Sequence, residues 1–211
     1  MRGICKIGIP TALQGMAYCM ISMVLTRMVS GFGAEAIATQ RVGGQIESVS
    51  WNTADGFGAA LNAFIGQNYG AGKMDRVKKG YRASLITVGV WGLFITLLFV
   101  CFPEQISGVF FHEPTAIATA VGYMIIIGYS EAFMSVELMT VGALSGLGKT
   151  HLCSVISITL TSARIPLAIL LSGTALGLLG IWWALTATSV VKGIVFVMAF
   201  YWITARMRNS K

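Results

Sequence analysis

The stretch 83–102, ASLITVGVWGLFITLLFVCF, runs for 20 residues without an acidic or basic side chain. Coiled as a helix at about 1.5 Å per residue it reaches about 30 Å, the thickness of a bilayer's hydrocarbon core. It has no polar face to turn toward water, as a soluble helix would. Outward from it, apolar runs of similar or greater length fill nearly all of the 211-residue chain, which is 55% hydrophobic and 11% charged with a mean hydropathy of +0.76. Spans are expected at 7–30, 34–66, 83–102, 116–144, 152–172 and 178–204, a single six-helix transmembrane lobe over 1–211 and an all-α membrane protein. The span 34–66 is the odd one: as a helix it would reach about 50 Å, so it must tilt, project or break, and Gly43-Gly44 is the expected weak point.

The basic residues fall on one side of a six-span chain. Arg2 and Lys6 precede the first span; Lys73, Arg76, Lys78, Lys79 and Arg82 separate the second from the third; Lys149 separates the fourth from the fifth; Arg206, Arg208 and Lys211 form the tail. The opposite loops carry Glu104, His112 and Glu113. The positive-inside rule then predicts both termini in the cytoplasm and a cell-membrane location. Juxtamembrane bases account for the net charge of +7, so no nucleic-acid partner is needed. The first apolar run ends without a small-residue cleavage site and is expected to stay as a membrane segment. Cys5, Cys19, Cys101 and Cys153 are scattered, suggesting neither a zinc site nor a redox pair. Gly146-Leu147-Gly148-Lys149-Thr150 has the ending of a phosphate loop without its first glycine, and it joins two membrane spans instead of following a strand. No enzyme, metal site or cofactor is expected.

Charge within the spans carries the functional signal, because an ionisable group near the bilayer centre costs several kcal/mol unless it faces a cavity or a partner. Nine such residues occur: Arg27, Glu35, Arg41, Glu47, Asp55, Glu131, Glu137, Arg164 and Lys192. Glu35, Arg27 and Arg41 are near enough to an interface to snorkel. Glu47, Trp51 and Asp55, at i, i+4 and i+8, share one helix face with Gly44 and Gln40. That face either walls a cavity whose carboxylates take a cation or a proton, or holds an ion pair with Arg164 or Lys192. Arg164-Ile165-Pro166 sets a charge beside a proline that frees the Ser162 carbonyl and kinks its helix; an acid such as Glu137 would answer it, as a coupling site or as a structural pair. Asp55, Glu137, Glu47 and Glu131 are thus candidate ion-coupling residues, with Arg164 and Lys192 as counter-charges.

Met16, Met20 and Met23 form a stripe on the first span beside Gln14 and Tyr18, either a soft ligand surface or ordinary packing. Gln14, Tyr18, Met20, Trp51 and Asn52 are the expected substrate-cavity residues. Trp182 and Trp183 at one end of the last span, and Tyr201 and Trp202 at the other, suit interfacial belts.

Four motifs carry a resemblance. Gly8-Ile9-Pro10-Thr11-Ala12-Leu13-Gln14, Phe32-Gly33-Ala34-Glu35-Ala36-Ile37-Ala38, Gly66-Gln67-Asn68-Tyr69-Gly70-Ala71-Gly72-Lys73 and Gly142-Ala143-Leu144-Ser145-Gly146-Leu147-Gly148-Lys149-Thr150, in this order and spacing, resemble the C-terminal half of a multidrug and toxic compound extrusion (MATE) transporter. The resemblance implies one lobe of a twelve-helix antiporter that expels organic cations and amphipathic compounds against sodium ions or protons. It also implies a partner, either a six-helix N-terminal lobe or a second copy. Tyr18 departs from the family pattern, standing where members that bind the coupling cation in this lobe often carry a glutamate. Alternatives are a truncated, non-transporting half and a flippase of a related transporter family.

Overall fold

The computed structural model describes residues 2–209, with side chains from 8 to 207. Arg2, Cys5, Lys6, Arg208 and Lys211, which enter the charge and cysteine readings, lie outside the described side chains. The described residues form eight helices: α1 (Arg2–Ser30), α2 (Ala34–Gly70), α3 (Met74–Cys101), α4 (Pro103–Phe110), α5 (Pro114–Gly146), α6 (Thr150–Ser162), α7 (Arg164–Ser172) and α8 (Leu178–Asn209). Five stretches are long and apolar enough to cross a membrane: Gly8–Ser30, Met74–Cys101, Pro114–Gly146, Thr150–Ser172 and Leu178–Met207. The expected second span is a helix of 37 residues, but Arg41, Glu47, Asp55 and its amides and hydroxyls keep α2 out of that set.

Other expectations need correction. No break occurs at Gly43-Gly44; α2 is continuous, and Gly43 instead makes room for the Tyr123 ring, which a Cβ there would strike. The third helix begins at Met74 and not near 83, so most of the basic segment is helical and not loop. Its bases lie along the first two to three turns, and Asp75 sits at the positive end of the helix dipole. The span expected at 152–172 is present as Thr150–Ser172, and the kink expected beside Pro166 is a break at Ala163 that divides it into α6 and α7. Pro166, with no N–H to give the Ser162 carbonyl, explains the break.

The glycine-lysine motifs are helix ends. Gly72 and Gly148 adopt φ of 71° and 73°, and the following Lys73 and Lys149 N–H groups bond back to the Asn68 and Leu144 carbonyls at 2.8 and 2.9 Å. Both are left-handed glycine caps that close the last turn of α2 and α5 and turn the chain into the next helix.

α5 is the central helix, with α2, α3 and α8 packed around it. Small residues set these approaches. A Cβ on Gly142 would lie 2.8 Å from the Gly58 Cα, one on Gly146 2.6 Å from the Asn62 oxygen, and one on Gly92 2.6 Å from the Ala132 Cα. Membrane helices gain little from excluding lipid between them, so backbone proximity and dispersion hold them together. A large apolar cluster built on Tyr81, Met139, Leu144, Phe196 and Phe200 fills one end of the bundle. A second, built on Leu25, Val29, Ala168 and Ile181, joins α1 to α7 and α8 at the other. On the outside, Ile86, Val90, Leu93, Phe94 and Leu97 of α3 are exposed at helical spacing, a surface suited to lipid and costly in water.

Candidate functional site

Between the two apolar clusters lies a cavity of about 530 Å³, walled by α1, α2, α5, α6, α7 and α8. Its polarity follows from where each helix places its ionisable residue. Glu47 comes from α2, Glu137 from α5, Arg164 from the first position of α7 and Lys192 from α8. The break at Ala163 ends α6 inside the bundle, which sets Arg164 at an internal helix start beside α8.

Each charge has its own partner. Lys192 Nζ and Glu137 Oε1 are 2.6 Å apart, and both side chains are 8% exposed. This is the only ion pair within 4 Å among the described residues; Asp55 takes no part in it, and Arg164 does not meet Glu137 at that range. Arg164 instead donates from Nε to Thr188 Oγ1 at 2.9 Å and from Nη2 to Ser189 Oγ at 2.8 Å. Glu47 accepts a hydrogen bond from the Tyr123 hydroxyl, and the Tyr123 ring leans edge-on against Trp182, centroids 5.0 Å apart. Glu137, Tyr18 and Glu47 lie near enough to Arg164 for their fields to reach it, without a hydrogen bond to it.

Aromatic and amide groups complete the walls. Tyr18 and Trp51 face each other across the α1–α2 side with centroids 6.1 Å apart, and Gln14 and Gln40 line the same region. The cavity thus offers apolar rings, amides and hydroxyls, and charges of both signs, a set suited to holding an amphipathic molecule by several weak contacts.

The expected residues divide accordingly. Glu47, Glu137, Arg164, Lys192, Gln14, Tyr18 and Trp51 line the cavity. Met20, Asn52 and Asp55 are exposed and are not among its lining residues, and Met16 and Met23 are exposed with Met20. Glu131 is fully buried outside the lining, both carboxylate oxygens without a hydrogen bond to a described residue, with Ser50 and Glu47 as electrostatic neighbours. Trp182 is also fully buried, packed on Tyr123, so it is a core residue and not part of an interfacial belt; Trp183 stacks on Tyr129. Among the described residues no three His, Cys, Asp or Glu side chains come together to hold a metal ion.

Sequence reasoning missed Tyr123, Ser157, Thr161 and Ser189, all of which line the cavity. A signal existed for three of them. Ser157, Thr161 and Arg164 follow at i, i+4 and i+7, and Ser189 precedes Lys192 by three, so each hydroxyl shares a helix face with a base that lines the cavity. Tyr123 gave no such signal, because its partner Glu47 lies on another helix.

Residues 10–170 match the MatE family model. The chain is 27% identical over 94% of its length to the probable multidrug resistance protein NorM of Thermotoga maritima, covering 43% of that protein. It is 29% identical over 87% of its length to a protein of the same description from Pseudomonas aeruginosa, covering 39% of it. A crystal structure of MATE in the straight conformation matches with a TM-score of 0.90 over 98% of this chain and 47% of that one, at 17% identity, a likeness of fold alone. The chain therefore spans less than half the length of these relatives.

Proposed function

The chain belongs to the MatE family, and on that premise we propose that it is the C-terminal lobe of a cation-coupled multidrug antiporter. Family members are transporters and not enzymes, and the chain is a multi-pass membrane protein of that kind. The proposed activity is the expulsion of organic cations and other amphipathic compounds in exchange for sodium ions or protons. The proposed topology has six crossings, with α2 as the sixth and both termini in the cytoplasm of a cell whose plasma membrane holds the protein. The polar side of α2, including Asn52 and Asp55, would then face the second lobe; against lipid each uncompensated charge would cost several kcal/mol.

One observation carries this reading: the mid-bundle cavity gathers two acids, two bases and three aromatic rings from five of the chain's helices. Glu137 and Glu47 are the proposed ion-coupling residues in it, with Lys192 and Arg164 as the positive charges that a sodium ion or proton would displace or reorient. Glu131 and Asp55 remain proposed contributors from outside its walls. The test is reconstitution of the chain with and without a six-helix N-terminal lobe, with sodium and proton gradients imposed separately. Ion-driven efflux only when the second lobe is present is the expected result. Indifference to both gradients would overturn coupling, and full efflux by the monomeric chain would overturn the two-lobe assembly.

A further inference from the structure

Arg164 stands apart from the other charges of the cavity. Glu137 is committed to Lys192 at 2.6 Å, and Glu47 is held by the Tyr123 hydroxyl. Arg164 meets only hydroxyl groups at hydrogen-bond range, through Nε and Nη2. Thr188 Oγ1 is itself within 2.8 Å of the Ala184 carbonyl, so its proton is spent along its own helix. These hydroxyl contacts aim the fork without neutralising it, and no further bond from the guanidinium joins it to a described residue. A guanidinium in the middle of a membrane bundle is costly unless an anion answers it, and its planar fork is shaped for two oxygens of one carboxylate or phosphate. The cavity also carries the Ser157 and Thr161 hydroxyls, and α1 and α2 bring the Tyr18 and Trp51 rings into it with centroids 6.1 Å apart, an apolar surface in the guanidinium's cavity.

We propose that Arg164, aimed by Thr188 and Ser189, is an anion subsite that takes the carboxylate or phosphate end of an amphipathic substrate whose apolar part lies against Tyr18 and Trp51. This deepens the transporter reading, on which it rests, by naming a substrate class: compounds that bear an anionic group, zwitterions included, and not only cations.

The probes are dansylglycine, charged at pH 7 through its carboxylate, and its neutral amide, titrated by fluorescence into the purified chain in dodecyl maltoside. The chain should bind the acid on the order of tenfold more tightly than the amide, as expected for one charge-assisted pair. Arg164→Gln should bring the two affinities to within about twofold of each other. Arg164→Lys, which keeps the charge but loses the fork, should fall between them, and it serves as the test if the glutamine variant does not fold. Equal affinities in the parent chain, or a preference untouched by either substitution, would overturn the subsite. Displacement of dansylglycine by octanoate supports a substrate site; displacement by phosphatidylglycerol alone would overturn that assignment in favour of a lipid headgroup. Binding needs neither a second lobe nor a gradient, so its failure leaves transport standing, and failed efflux with intact binding strikes only the transport reading.

Discussion

Removing either member of the Glu137–Lys192 pair should destabilise the chain far more than removing both. The two groups are 2.6 Å apart, and only 8% of each side chain is exposed. At an effective dielectric of about 20 their gross attraction is about 6 kcal/mol, much of it offset by the cost of taking both ions out of water. Loss of one partner forfeits the attraction yet leaves the other charge buried, at an expected cost of about 3–5 kcal/mol. In Glu137→Gln the penalty is sharpened, because the remaining Lys192 ammonium still feels Arg164 as a like charge. Glu137→Gln and Lys192→Met should each show this loss, while the double variant should lie within about 2 kcal/mol of the parent. The assay is equilibrium unfolding in dodecyl maltoside micelles titrated with sodium dodecyl sulfate, followed by far-UV circular dichroism. Single variants within about 0.5 kcal/mol of the parent, or a double variant equal to the sum of the singles, would show that the two charges do not depend on each other and would refute the reasoning.

Gly142→Leu should cost about 1–3 kcal/mol or more by prising α5 from the Gly58 backbone, whereas Gly44→Ala, with nothing within 4 Å of its Cβ, should be nearly neutral; the same unfolding assay reads both. Impermeant thiol reagents applied to intact cells should label a single cysteine at the exposed Val109 and spare one at the exposed Lys79, and the reverse pattern would invert the topology. With the second lobe present, Glu137→Gln should abolish ion-driven efflux and Asp55→Asn should weaken it by about tenfold or less, since Glu137 lines the cavity and Asp55 does not. Equal loss in both, in a vesicle transport assay with folding checked, would return Asp55 to the centre of the coupling chemistry.

The membrane character of the chain was readable because it depends on composition over windows of about 20 residues, as in 83–102. The Ala163 break was readable because Pro166 acts locally on a known carbonyl. Gly43 misled for an instructive reason: in isolation a glycine pair weakens a helix, but here the missing side chain is what lets Tyr123 close on α2. Which acid meets which base was equally out of reach, since Glu137 and Lys192 are 55 positions apart and Arg164 offered an equally charged rival. Periodicity assigns a residue to a face of its own helix; the rotation of that helix against its neighbours is set by packing that no single segment encodes. Hence Trp51 and Asp55, one turn apart, part company at the cavity's edge.

The glycine contacts between α2 and α5 have a mechanical meaning. Where Gly58 and Gly142 bring two backbones together, no layer of side chains lies between them to slide or repack, so the two longest helices resist shear as one beam. Compliance is then concentrated where the ladder of helical hydrogen bonds is already cut, at Ala163. Arg164 is the first residue beyond it, so any pivot of α7 about that break moves a positive charge within the cavity and must break or carry along its bonds to Thr188 and Ser189 of α8.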